Sequence, residues 1–184
     1  MGQPATRRMP GIKRTRGCLR FEQAGTGIET ERLPIIAPMQ IKDSIAATWA
    51  PQGNFHHIGF VVSSIDKSIE GFRISLEARW DGVIIHDPAQ KVRVTFLESG
   101  NRADPLFELI EPAAEDSPVQ QAAQRGGGVH HVCYLVDSLD VQLERCRSQR
   151  ALLVRRSTPA VAFGGRHIAW VYTRNKLLIE YLER

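Results

Sequence analysis

The sequence predicts an α+β domain built from two tandem βαβββ modules related by pseudo-twofold symmetry. Two observations lead to this. First, a stretch of 18 residues occurs twice: residues 56–73 read HHIGFVVSSIDKSIEGFR, and residues 130–147, offset by 74, read HHVCYLVDSLDVQLERCR, with seven positions identical. Second, each copy ends on a matched apolar run, LFELIE at 106–111 and LIEYLE at 178–183, which aligns Glu108 with Glu180 and Glu111 with Glu183. A repeat of this length describes the architecture, because each copy is one supersecondary unit that must bury its apolar face against something.

The elements follow in order. Residues 55–62 form a β-rich run, and Ser64 is placed to cap a helix whose apolar residues Ile65, Ile69, Phe72 and Leu76 recur at helical spacing. Asp66 in its first turn suits the helix dipole. Three strands are expected at about 78–85, 92–98 and 106–111, separated by Asp87-Pro88 and Ser99-Gly100-Asn101 turn chemistry. A linker, about 113–128, carries a short helix opened by Glu115-Asp116-Ser117-Pro118 and ended by Gly126-Gly127-Gly128. The second module, about 129–184, repeats the pattern. It has a strand at 130–136, a helix capped by Ser138 with Leu139, Leu143 and Cys146 inward, and strands at about 152–155, 167–172 and 176–182.

The folded part is thus expected to be residues 51–184, with module 1 at about 54–112, preceded by a basic, disordered extension over 1–50. Seven Lys/Arg and three acids fall within residues 1–38, which accounts for the whole net charge of +4 and leaves the body neutral. The basic balance therefore gives no reason to expect a nucleic-acid surface on the domain. Met39 is a candidate translation start. No apolar run approaches the ~20 residues that span a bilayer, so no membrane partner is expected. Three cysteines without a CxxC spacing, and no secretory leader, point to a reducing, cytoplasmic setting.

Strand alternation then selects candidate functional side chains. In the first strand His57, Gly59 and Val61 share one face, while His56, Ile58, Phe60 and Val62 share the face that a crossing helix covers. In the repeat, His131 takes the position of His57. The same alternation sets Glu108 and Glu180 apart from their apolar neighbours. A single His-His pair on a strand is more often a packed or hydrogen-bonded histidine than a ligand. A carboxylate in an apolar strand, however, is costly without a partner, and here both features occur twice in register. Under a pseudo-twofold axis His57, Glu108, His131 and Glu180 converge, and imidazole with carboxylate suits one divalent ion such as Co, Mn, Ni, Zn or Fe. The loop holding Gly164, Gly165 and Arg166 is either a plain hairpin turn or a substrate-binding flap offering backbone N–H groups and a guanidinium.

HHIGFVV, FELIEP followed by EDSPV, GGGVHHVCYLVDSLD, AFGGRHIAWV and LLIEYLE together resemble the vicinal oxygen chelate superfamily, and within it the methylmalonyl-CoA epimerases. The resemblance runs over about 55–183. It implies a curved mixed sheet around a central divalent metal held by His57, Glu108, His131 and Glu180, an acyl-CoA substrate, and a homodimer. It implies a metal-dependent isomerase or epimerase in which Glu180 serves as a proton-transfer base. The opposite-face group is unassigned, with Glu108 and Gln90 the candidates. The sequence departs from the family at Val94, where some epimerases carry a second catalytic glutamate, and at 172–176, where a His-Pro-Lys turn is replaced. Alternatives on the same scaffold are a glyoxalase I-like lyase, an Fe(II) dioxygenase using two histidines and one carboxylate, and a non-catalytic resistance-type binder.

Overall fold

A computed structural model describes residues 44–48, 54–101 and 103–184. Most of the expected basic extension, including Met39 and Cys18, lies outside the described residues. Within that stretch Ile45–Thr48 make one helical turn, α1, whose Ala46 is buried in the central core.

Module 1 consists of β1 (Phe55–Val61), α2 (Ile65–Ser75), β2 (Arg79–Trp80), β3 (Ile85–Asp87), β4 (Val92–Glu98) and β5 (Leu106–Pro112). A short α3 (Gln120–Gln124) leads to module 2: β6 (Gly128–Val136), α4 (Leu139–Ser148), β7 (Leu152–Pro159), a single 3-10 turn (Val161–Phe163), β8 (His167–Tyr172) and β9 (Leu178–Glu183). These strands form one mixed sheet ordered β2-β4-β5-β1-β6-β9-β8-β7, with β3 also on β4.

The order is palindromic about the antiparallel β1–β6 pair. Outward from β1 come parallel β5 and antiparallel β4; outward from β6 come parallel β9 and antiparallel β8. The sheet is thus open and built of two equivalent halves, as the repeat predicts.

The two helices begin alike. The hydroxyl of Ser64 accepts from the N–H of Lys67, and that of Ser138 accepts from the N–H of Val141, both at 3.4 Å. A second acceptor comes from the matched last strands. Glu111 Oε2 takes the Ile65 N–H at 2.6 Å, and Glu183 Oε1 takes the Leu139 N–H at 3.0 Å. These N–H groups have no partner within the helix, and a carboxylate there also complements the dipole.

Each helix then covers the outer face of its own module. Ile65 and Ile69 of α2 pack with Val62, Leu97 and Leu109, and Leu139, Leu143 and Cys146 of α4 pack with Ala169, Val171 and Tyr181. A third cluster, with Val61, Phe96, Ile110, Leu135, Phe163 and Ile168, fills the inner face.

Two elements differ from the sequence expectation. The strand expected at about 78–85 is broken, because Asp81 Oδ1 accepts from the N–H of Val83 at 2.9 Å and Gly82 takes φ 80°. An aspartate that binds the backbone two residues on makes a turn in place of a ladder. The linker helix is confined to 120–124, and Gly126, Gly127 and Gly128 all have positive φ, with β6 starting on the last of them. At Gly127 a Cβ would lie 2.1 Å from the Val61 carbonyl oxygen, so only glycine lets the linker pass β1 this closely.

Candidate metal centre

The ladder registers place two rows of side chains across the middle of the sheet. One row runs Phe96–Glu108–Gly59–His131, and the other runs Trp170–Glu180–Cys133–His57. Each row joins the glutamate of one module to the histidine of the other across a small residue, Gly59 or its repeat equivalent Cys133. The smallness is required at Gly59, where a Cβ would fall 2.1 Å from Cε1 of His131.

The β1–β6 ladder carries two register shifts, between Phe55 and His57 on one strand and between His131 and Val129 on the other. Each is a β-bulge whose extra residue is the first histidine of a pair, His56 or His130. This corrects the expectation that His56 lies on the helix-covered face. Strict alternation fails at a bulge, and His56 is buried beside Phe163, at a ring-centroid distance of 5.4 Å. Its Nδ1 lies 2.8 Å from Nδ1 of His57, and Nδ1 of His130 lies 3.0 Å from Nδ1 of His131.

The other ring nitrogens of the second histidines point to a common centre. His57 Nε2 and His131 Nε2 are 2.9 Å apart. Oε2 of Glu108 is 3.4 Å from both, and Oε2 of Glu180 is 3.3 Å from His57 and 3.8 Å from His131. Relative exposures are 0% for His57, 1% for His131, 6% for Glu108 and 3% for Glu180, so solvent does not screen the set. Phe163 stacks on His57 at 5.8 Å, Phe96 meets the same ring edge-on at 5.6 Å, and Trp170 meets His131 edge-on at 4.7 Å.

The electrostatics of the set follow from burial and mutual proximity. Burial is the largest influence on Glu108 and raises its carboxyl; His57 draws it back, and Glu180 pushes it up again. Burial opposes a charge on His57, yet Cys133 and Glu108 against it hold its pKa well above the ordinary value. The Cys133 thiol is itself pushed up by burial and stays neutral, so Glu108 is the operative charge. His131 sits well below its ordinary value, through burial and then the neighbouring His57 and His130. His56 is lowered to about 2 by burial, His57 and Arg166. The cluster thus packs two imidazoles and two carboxyl groups together out of solvent, and protons must leave such a set when it takes up a divalent cation.

The residues fit such an ion on three grounds. Donors about 2.1 Å from one ion and at right angles to each other lie about 3 Å apart, and the spacings here are close to that. The ligating atoms of His57, Glu108 and His131 all lie within 4.8 Å of one another. Finally, among the described residues, Glu180 Oε2 is buried without a hydrogen-bond partner, an arrangement that is costly unless a cation satisfies it.

The set borders a cavity of about 270 Å³ whose wall includes Val94, Ile110, Phe163 and Trp170 beside Glu108, His131 and Glu180. Gln90 lines it, but its side-chain amide donates to Oδ2 of the buried Asp87 at 3.2 Å. Gly164 and Gly165, with φ 67° and 87°, close the 3-10 turn, and Arg166 donates Nε–H to the Phe163 carbonyl at 3.3 Å. These three do not line the cavity; Ala162 and Phe163 of the same loop do.

Among the described residues, the one Lys or Arg on the wall is Arg155, whose Nη2 donates to the Ala89 carbonyl at 3.2 Å. Sequence reasoning did not single out Gly59, Cys133 or Arg155. Gly59 had a readable signal, a glycine inside an apolar strand beside a histidine, which marks close approach. Arg155 had none.

Residues 56–170 match the glyoxalase/bleomycin resistance protein/dioxygenase superfamily. An uncharacterized protein of Bacillus subtilis, YqjC, is 36% identical over 133 residues, 69% of this chain and 89% of that protein. The ethylmalonyl-CoA/methylmalonyl-CoA epimerase of Cereibacter sphaeroides is 24% identical over 132 residues, covering 70% and 96%. The crystal structure of methylmalonyl-CoA epimerase from Mycobacterium tuberculosis superposes with a TM-score of 0.62 at 23% identity, covering 75% of this chain and 94% of that one. The chain belongs to the glyoxalase/bleomycin resistance protein/dioxygenase superfamily and has the vicinal oxygen chelate fold of its epimerase neighbours.

Proposed function

We propose that this chain is a divalent-metal-dependent isomerase that removes and returns the α-proton of an acyl-CoA such as methylmalonyl-CoA. The observation that carries the reading is the convergence of His57, Glu108, His131 and Glu180, buried and drawn from both modules, with Glu108, His131 and Glu180 on the wall of one cavity. These four residues would hold the ion. A divalent ion held there would supply positive charge that stabilises the negative charge of an enolate, on the order of several kcal/mol.

The remaining roles belong to the chain. Glu180 lines the cavity as well as the centre, and its carboxylate is placed to take the α-proton of a substrate held there. The apolar wall of Val92, Val94, Ile110 and Phe163 excludes water from the carbanion-like centre and takes the acyl group, and Arg155 supplies a cation for a substrate carboxylate. The cavity suits an acyl head, with the nucleotide portion of CoA lying outside it.

Val94 favours a second reading. Where some epimerases place a second catalytic glutamate, this wall is aliphatic at Val94, which leaves Glu180 as the proposed base. One base on one face suits a glyoxalase-like proton shift between adjacent carbons, whereas an epimerisation also needs a proton donor on the opposite face.

Incubating metal-loaded and EDTA-treated protein with methylmalonyl-CoA in D2O separates the readings, with deuterium at C2 followed by NMR. Metal-dependent exchange accompanied by inversion is expected. Exchange with retention moves the chemistry to a single face, and metal retained without exchange rejects this substrate.

A further inference from the structure

The first histidine of each pair takes no part in the reading above, yet both are built into the sheet in the same way. We propose that His56 and His130 are positioning residues. Each accepts, at its own Nδ1, a hydrogen bond from Nδ1–H of the histidine that follows it, and so fixes His57 and His131 with a bare Nε2 facing the centre. The inference rests on the reading of His57, Glu108, His131 and Glu180 as a metal site.

The proton count leads to this assignment. A neutral imidazole has one N–H, and a contact between two Nδ1 atoms needs one of them to donate and the other to accept. The contacts are 2.8 Å for His56–His57 and 3.0 Å for His130–His131. The Nε2 atoms of His57 and His131 face each other at 2.9 Å, with carboxylate oxygens 3.3 to 3.8 Å away. A nitrogen that ligates a cation must offer a lone pair, so each of these rings carries its proton on Nδ1. The preceding histidine must then accept at Nδ1 and carry its own proton on Nε2.

Two structural features agree with this. The contacts require a side chain to turn out of normal alternation, and each pair sits on a β-bulge that does this, at equivalent positions of the two modules. His56 Nε2, the atom that must then carry a proton, is buried with no hydrogen-bond partner among the described residues. A buried donor left unpaired is disfavoured, and packing alone gives no reason to retain a histidine there. A hydrogen bond to the non-ligating nitrogen sets the tautomer and ring orientation of a metal-bound imidazole.

The test replaces the acceptor and then restores it. Asparagine carries its amide oxygen close to where imidazole has Nδ1, whereas leucine fills the space without an acceptor. Zn(II) affinity is measured by competition with a chromophoric chelator for the parent chain, H56L, H56N, H130L and H130N. Thermal unfolding in EDTA checks that each variant folds. Each leucine variant is expected to bind Zn(II) about 10- to 100-fold more weakly, with asparagine recovering most of the loss.

Leucine variants that fold and bind as tightly as the parent overturn the proposal, as do asparagine variants no better than leucine. Should a leucine variant fail to fold, long-range proton–nitrogen NMR of the Zn(II)-loaded parent decides: a proton on Nδ1 of His57 and of His131 is required, and a proton on Nε2 of either excludes it. A parent chain that binds no divalent ion removes the metal-site reading as well, an outcome distinct from the others.

Discussion

At the scale of single residues, Gly59 shows how little room the centre leaves. Its backbone faces the His131 ring across the β1–β6 ladder, and a methyl group there would lie 2.1 Å from Cε1. Neither partner can yield freely, since Gly59 is in mid-strand and His131 is held between His130, Trp170 and His57. Gly59→Ala is therefore expected to push the ring off its position. The expected cost is about 1–3 kcal/mol of stability from overpacking, with a drop of at least about tenfold in metal affinity. Chemical denaturation and a metal titration check the two effects separately. The ligand candidates themselves were legible in the sequence, because His57 with His131 and Glu108 with Glu180 recur in matched runs. The side-chain direction of His56 was not legible, because a bulge leaves no mark in composition and alternation is blind to it.

The elements repeat their devices as well as their shapes. Ser64 and Ser138 cap the two helices, as their spacing predicted, and Glu111 and Glu183 add a second acceptor from the end of each module's last strand. The alignment of these two glutamates was visible in the sequence, but their partner was not, since it lies 46 residues away in one module and 44 in the other. Glu111 also pairs with Arg93 at 3.0 Å, so Glu183 is the simpler one to remove. Glu183→Ala leaves the Leu139 N–H without its acceptor and is expected to cost about 1 kcal/mol. In a domain of this size that lowers the melting temperature by about 2–4 °C, with metal affinity unchanged. A loss of metal binding in this variant would show that the cap and the centre are coupled, which the separate clusters on the two sheet faces do not suggest. The break between β2 and β3 was a miss of a different kind. Asp81 and Gly82 are turn residues that sit inside the stretch expected as one strand at about 78–85.

For the molecule as a whole, the duplication makes the site. Because β1 and β6 pair across the pseudo-twofold axis, each histidine lies in one row with the other module's glutamate, and neither module alone carries the full set. The sheet order follows from the repeat, whereas the chemistry of the cavity does not. Val94 and Arg155, which bear most on the substrate, differ from anything that duplication dictates. Two buried carboxyl groups whose oxygens lie 3.3 to 3.8 Å from two buried imidazoles are unfavourable as an isolated cluster, and a bound cation would reverse that balance. The central claim is that His57, Glu108, His131 and Glu180 form one metal centre. It is tested most directly by equilibrium dialysis of the EDTA-stripped chain against Co(II), with metal content measured per chain alongside the double variant Glu108→Ala/Glu180→Ala. One Co(II) per parent chain, and a loss of at least about 100-fold in affinity in a variant that still folds, is the predicted result. A parent chain that binds no ion, or a double variant that binds one as tightly as the parent, would contradict it.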